Sequence, residues 1–334
     1  MNSSGFHRPS PSPASGAGTQ PGTGWDGPLL RASRFLASRG VEDAGFEARS
    51  LLCHLLGWSR AELFTHLRER PAPELEPRFR RLIRRRGRRE PNAYIRKQRE
   101  FFGLDFYVDP RVLIPRPETE LLVEEALRLA AGYPPAGPLL VADIGTGSGT
   151  IAVSLAVNLP GATLFATDIS SGALEVAALN CRRHGVEDRV HLLRGDMLGP
   201  LPHPCHLIVA NLPYVPHREL DGLSPEVAAF EPREALAGGE DGLDQVRRFL
   251  SQAGSRLRPR GSFLLEVGHG QGERVCGLVR ESFPGSRVGL LSDLAGIGRL
   301  VAVTPSGQAA GAGKVDGPDT AITGVAPGNP VAVP

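Results

Sequence analysis

From Leu139 onward the chain alternates short apolar runs with amphipathic stretches, and the first run leads straight into Gly145-Thr146-Gly147-Ser148-Gly149. That alternation restricts the fold severely. Parallel strands need a crossover element between them, and continuous apolar strands need cover on both faces. The pattern predicts strands over 139–143, 162–167, 189–193, 206–210, 261–267, 286–291 and 299–303. It predicts helices over 149–158, 171–184, 242–257 and 270–282. Such a chain forms an α/β fold, a mainly parallel sheet with helices on both sides. Ligands of these sheets sit beyond the carboxyl ends of the strands, near the switch point.

The glycine turn falls at such an end. A dinucleotide fingerprint would need glycine where Thr150 stands, and a phosphate loop would need Gly-Lys-Ser/Thr, which is absent. The Gly-x-Gly-x-Gly spacing suits a nucleoside without phosphates, such as S-adenosyl-L-methionine. Gly145, Thr146, Gly147, Ser148 and Gly149 are therefore the expected cofactor turn. Asp168 closes the run Thr163 to Thr167, where a carboxylate can accept both ribose hydroxyls in charge-assisted bonds. Asp196 follows the strand ending at Leu193 and is placed to reach an adenine edge, with Met197 packing beside it. The plainer reading is that each aspartate caps the helix after it; in series with the glycine turn, the cofactor reading is stronger.

A second motif, Asn211-Leu212-Pro213-Tyr214, ends the apolar run His206 to Ala210. It puts an amide side chain, an unpaired carbonyl and an aromatic ring at one sheet edge. An amide nitrogen is a poor nucleophile because its lone pair is delocalised. If the Asn211 oxygen and the Leu212 carbonyl each accept one N–H, the nitrogen is held toward an arriving methyl group. Positioning of that kind supplies much of a barrier reduction, and acceptors aimed at developing positive charge add to it. Pro213 completes the turn, and Tyr214 would flank the amide and meet the cationic methyl region with its ring. Alone, the tetrapeptide is equally an ordinary turn after a strand.

The rest of the chain divides by composition. Residues 1–28 and 305–334 are rich in Gly, Pro, Ala and Ser without hydrophobic periodicity and are expected to be disordered. Residues 29–88 carry Leu, Phe and Trp at helical spacings, a small domain of helices. Residues 89–137 form a connecting β and loop segment, and 138–304 the α/β domain. A net charge of +2 gives no global field toward nucleic acid or anionic membrane. From Arg68 to Arg99, however, twelve arginines and Lys97 face only four glutamates. That stretch is either a solvated helix face or a surface for an acidic partner or RNA. The four cysteines stand far apart, so neither a disulfide framework nor a metal site is expected. Cys205 reads as a small core residue. With no signal-peptide core and no membrane-length apolar run, a cytoplasmic location is expected.

A longer signature surrounds these motifs: Glu90-Pro91, Tyr94-Ile95, Glu100-Phe101-Phe102-Gly103-Leu104 and Ile114-Pro115-Arg116-Pro117-Glu118-Thr119-Glu120. Glu231-Pro232-Arg233, Gly238-Gly239 and Asp241-Gly242-Leu243 continue it. With Asn211 to Tyr214, it closely resembles the peptide chain release factor N5-glutamine methyltransferases, from about residue 29 to 304. The resemblance implies a Rossmann-like class I methyltransferase sheet behind a small N-terminal helical domain that helps recognise the release factor. It implies methyl transfer from S-adenosyl-L-methionine to the glutamine side chain in the Gly-Gly-Gln loop of class I release factors, modulating translation termination. Gly145 to Gly149, Asp168, Met197 and Asn211 would contact the cofactor, and Asn211 to Tyr214 would grip the glutamine.

Two positions depart from the family pattern. Leu212 replaces the first proline of Asn-Pro-Pro-Tyr; it keeps the carbonyl, and Pro213 still biases it to extended backbone. Lys97 stands where glycine is expected, a strain of about 1 kcal/mol if that position needs positive φ. Asn-x-Pro-Tyr also serves enzymes that methylate exocyclic amines of nucleic acid bases, which must be extruded into the pocket. The short, mixed-charge 215–241 segment and the small N-terminal part disfavour that reading, so direct nucleic-acid binding is not expected. Two more readings compete with the release-factor one. The chain could methylate a glutamine of a ribosomal protein, or bind donor and release factor without turnover.

Overall fold

The structure, a computed structural model, describes residues 24–133 and 137–305. The N-terminal unit packs helices α1 (Asp26–Ser38), α2 (Ala44–Leu56), α3 (Arg60–His66) and α4 (Leu75–Gly87), followed by the short α5 (Asn92–Arg96). Local sequence sets their ends. Ser59 and Glu62 form a reciprocal capping box at the start of α3, and Gly57 closes α2 in left-handed backbone at φ 69°. Leu36, Leu51, Leu52, Leu63 and Phe79 fill the core between them. Trp25 belongs to that core, edge-on to Phe79 with ring centroids 5.8 Å apart. The ordered unit therefore begins before residue 29. A single tryptophan in a Gly/Pro-rich stretch has no periodicity to reveal it. The expected tails fall otherwise at 1–23 and 306–334, outside the described residues.

A hairpin of β1 (Arg99–Phe101) and β2 (Leu104–Phe106) and then helix α6 (Glu120–Ala130) lead into the larger domain. There β3 (Leu139–Ile144), β4 (Ala162–Asp168), β5 (Val190–Arg194), β6 (Cys205–Ala210), β7 (Leu257–Glu266), β8 (Arg287–Ser292) and β9 (Gly298–Thr304) form one sheet in the order β5-β4-β3-β6-β7-β9-β8. All pairings from β5 to β7 are parallel, and β9 alone runs against its neighbours β7 and β8. Helices α7 (Thr150–Asn158), α8 (Ser171–Arg183), α9 (Pro225–Phe230), α10 (Asp244–Arg256) and α11 (Gly272–Ser282) complete the chain.

The sheet divides its side chains by the two-residue period of a strand. Leu140, Ala142 and Ile144 of β3 join Ile208, Phe249, Phe263 and Val279 in one cluster, whereas Val141 joins Leu155, Leu164, Val209 and Leu264 in another. Both faces are thus covered, as a parallel sheet requires. The order reverses between β3 and β6, so the gap beyond their carboxyl ends is the switch point. Among the described residues no helix is long and apolar enough to cross a membrane.

Lys97 ends α5 in left-handed backbone, φ 55° and ψ 37°, with its ammonium 6.0 Å from the Tyr107 ring centroid. Glycine reaches that conformation without the Cβ clash. Lys97→Gly is expected to raise unfolding stability by about 1 kcal/mol, seen as a higher urea midpoint at unchanged slope. A lower midpoint would show that the contact with Tyr107 outweighs the strain.

Candidate active site

A cavity of about 460 Å³ opens at the switch point, walled by Ile144, Gly145, Gly147, Asp168, Asn211 and Leu212 among others. Its floor is the glycine turn, and the turn is built on Asp143. That carboxylate is fully buried at the end of β3; its Oδ2 accepts from the Thr146 hydroxyl at 2.6 Å and the Ala152 N–H at 3.2 Å. Burial pushes its pKa up to about 7, with the Thr146 and Ala152 bonds pulling the other way. The N–H groups of Gly145 and Thr146 both donate to the Thr167 carbonyl, tying the turn to β4. Gly145, Gly147 and Gly149 all have positive φ, and a Cβ on Gly149 would sit 3.1 Å from that of Ala177. A Cβ on Gly147 would meet nothing within 4 Å, so that backbone is bare toward the cavity it lines.

Asp168 stands at the end of β4, and each of its oxygens accepts one backbone N–H: Oδ2 from Gly147 and Oδ1 from Ser170, both at 2.9 Å. Each oxygen keeps acceptor capacity for a ligand. Burial raises its pKa, against those bonds. The helix that follows is capped by Ser170, whose hydroxyl accepts from Ala173 N–H, so capping does not account for Asp168. Ile169, 65% exposed, adds an apolar wall beside it. Asp196 also lines the cavity, but its carboxylate is held by Arg248 of α10, a partner no local pattern announces. Met197 is beside it at φ 50°, its carbonyl accepting from the Thr167 hydroxyl. Thr146, Ser148 and Gly149 shape the turn from behind and are not wall residues. No sequence motif points to Asn180, buried in α8. Its amide bonds both Tyr107 backbone groups and the Ser148 carbonyl, locking the connecting segment to the turn.

Asn211, Leu212 and Pro213 line the same cavity from the end of β6; Tyr214 does not. Leu212 turns its side chain into the core, 4% exposed, where packing supplies the restraint that a proline ring would. Asn211 Nδ2 donates to the Thr119 hydroxyl at 3.1 Å. The Tyr214 carbonyl accepts from Gln271 Nε2 at 2.9 Å. Close backbone contact explains the neighbouring glycines. A Cβ on Gly238 would lie 2.7 Å from Tyr214 Cα, and one on Gly242 would run into the Tyr214 backbone carbonyl oxygen.

The segment between Val215 and Glu240 contributes Pro232, Glu234, Ala235 and Ala237 to the cavity wall. Buried Glu231 fastens it, accepting from Arg116 Nη2 at 2.6 Å and Ile114 N–H at 3.2 Å. Arg116 is therefore engaged within the chain. At the other end, Glu226 of α9 takes two bonds from Arg89 and one from Arg86, and Arg86 also holds Glu47. Part of the basic stretch is thus structural, whereas Arg78, Arg80, Arg81, Arg84 and Arg88 stay on the outer face of α4 and the turn after it. Cys205 is buried, which pushes its thiol up to about 12, as suits a core residue.

The family model described as "PrmC N-terminal domain" matches residues 29–96, and "Methyltransferase small domain" matches residues 125–224. A release factor glutamine methyltransferase of Geobacter sulfurreducens is 46% identical over 245 residues, 73% of this chain and 84% of that protein. One of Moorella thermoacetica is 46% identical over 253 residues, covering 75% and 88%. One of Cereibacter sphaeroides is 42% identical over 267 residues, covering 80% and 93%.

The buried Asp143 yields a pH signature. Folded, it holds its proton to about 7; unfolded, it releases it near pH ~4. Between those values the folded state binds more protons, so this group makes stability fall as pH rises. Asp143→Asn keeps the shape and removes the titration. Urea midpoints measured across this window are expected to fall less steeply in the variant than in the parent; equal slopes would contradict the assignment.

Proposed function

This chain belongs to the release factor glutamine methyltransferases, and from that premise we propose how its residues perform the reaction. It transfers a methyl group from S-adenosyl-L-methionine to the side-chain amide nitrogen of the glutamine in the Gly-Gly-Gln loop of class I peptide chain release factors, modulating translation termination. The observation that carries the reading is a single cavity lined both by Asp168 and the glycine turn and by Asn211 and Leu212.

The cavity fits the donor. Gly145 and Gly147 permit close backbone approach, Asp168 offers acceptor capacity to a ribose diol, and Ile169 and Met197 supply apolar surface for a flat base. The sulfonium of the bound donor supplies an electrophilic methyl group. The chain's part is to bring the amide to it. Asn211 Oδ1 and the Leu212 carbonyl each accept one amide N–H, so the nitrogen is oriented and the positive charge developing on it is stabilised. No base is needed to activate the nitrogen, because the proton lost after transfer belongs to a strongly acidic N-protonated amide. The segment fastened by Glu231 narrows access to water over the reacting atoms. The helical domain meets the release factor outside the loop being methylated.

Two outcomes test this. Mass spectrometry of a class I release factor after incubation with the protein and S-adenosyl-L-methionine should show one added methyl on the loop glutamine, absent with Asn211→Ala. A methyl group on another residue, or none with donor binding intact, would overturn the assignment. Gly238→Ala forces backbone away from Tyr214. It should lower kcat on the order of 100-fold, as misplacement by about 1 Å does, while donor affinity, set chiefly by Asp168 and the glycine turn, changes little. An unchanged kcat would show that the Gly238 contact does not position the tetrapeptide.

A further inference from the structure

We propose that Thr119 and Glu266 are positioning residues that fix which way the Asn211 carboxamide faces, so that its oxygen and not its nitrogen meets the substrate amide. The proposal rests on the glutamine-methylating reading above. It also gives a task to the Ile114–Glu120 signature, which contributes no wall residue to the cavity.

Ala210 and Leu265 are paired in parallel register on β6 and β7, so Asn211 and Glu266 leave the sheet side by side. Thr119, on the turn Pro117–Thr119, reaches Asn211 from 92 residues away, and its hydroxyl accepts from Asn211 Nδ2. The Thr119 and Asn211 side chains both favour the ionised form of the Glu266 carboxyl. Glu266 is only 6% exposed, and its Oε2 is buried without a partner among the described residues. An ionised carboxylate only accepts hydrogen bonds. Beside it, the NH2 end of a carboxamide is attracted and the oxygen end repelled. A flipped Asn211 would set its oxygen against the Glu266 oxygens and turn its own donors toward the donors of the substrate amide. With Nδ2 committed, Oδ1 is left as the acceptor the reaction needs.

The turn that presents Thr119 is itself clamped. Arg116 is paired to buried Glu231, and Glu120 Oε1 accepts from Phe102 N–H at 2.8 Å. Around Glu266 lie Glu118 on that turn, Arg299 on β9 and Tyr214 beyond β6. Burial is the chief reason that its carboxyl holds a proton up to about 7, with the Thr119 side chain acting against it. Protonation would make the carboxyl a donor as well and abolish its preference for the NH2 end. Turnover should therefore climb with pH and level off once Glu266 is ionised.

Two measurements decide the matter. The first needs no substrate: hydrogen exchange of the Asn211 side-chain NH2, assigned by its absence in Asn211→Ala. It should be slow in the parent and in Thr119→Ser, and about tenfold faster or more in Thr119→Val, as for loss of one hydrogen bond of ordinary strength. The second is steady-state methylation of the release factor. Thr119→Val and Glu266→Gln should lower kcat about tenfold or more with KM for the release factor little changed. Thr119→Ser should restore it, and Glu266→Gln should lose the climb with pH. Unchanged exchange, or an unchanged kcat in both variants, overturns the lock. A parent that exchanges slowly yet leaves the release factor unmethylated would instead fault the functional reading while the exchange result still decides the lock.

Discussion

Asp143 governs how the chain leaves its central strand. A carboxylate with no exposure to water must find its hydrogen bonds inside the protein, and here it takes them from Thr146 and from the first turn of α7. Those bonds curl the backbone back over the strand end. The curl brings Gly147 to Asp168 and ties Gly145 and Thr146 to Thr167. The floor of the cavity, the start of the nearest helix and the posture of the second acidic residue thus follow from one buried group. The desolvation cost of such a group is large, and it is offset only while the turn stays closed.

A second set of charges joins parts of the chain far apart in sequence, beside the packing of Phe230 against Tyr94, Val112 and Ile114. Glu226 binds the helical unit through Arg86 and Arg89, and Glu231, five residues on, binds the connecting segment through Arg116. Between these two anchors and the cavity wall runs only a short stretch, reaching it at Pro232 and Glu234. Buried ion pairs add little net stability once desolvation is counted. Their geometry is demanding, however, and two-point arginine contacts fix orientation as well as distance. These pairs set where the helical unit sits relative to the cavity.

Much of this was legible in the sequence because it obeys short-range rules. The seven strands of the large sheet carry continuous apolar runs bounded by turn residues, and their observed limits differ from expectation by a few residues at most. The positive φ at Lys97 followed from a glycine pattern. The glycine turn and the Asn211 tetrapeptide declared themselves by spacing, and the structure brings Gly145, Gly147, Asp168, Asp196, Met197, Asn211, Leu212 and Pro213 to one cavity. What escaped were pairings between side chains far apart in the chain: Arg248 with Asp196, Thr119 with Asn211, Asn180 with Tyr107 and Ser148. No local periodicity encodes such pairs, since each depends on where two separate elements come to rest. Trp25 escaped for the opposite reason, an isolated anchor without a repeat around it.

Leu212 carries a consequence for how the reaction site responds to heat. A proline ring restricts the backbone in every state of the chain, so its contribution survives partial loosening and lowers the entropy of the denatured ensemble. A leucine restricts it only while its side chain is held by the surrounding core. In this protein the stiffness that a first proline would give the Asn211–Tyr214 loop is therefore borrowed from the cluster beneath it. Beyond the extended bias that Pro213 imposes in every state, it persists only while that cluster is packed, so local order at the loop is coupled to cooperative melting of the sheet.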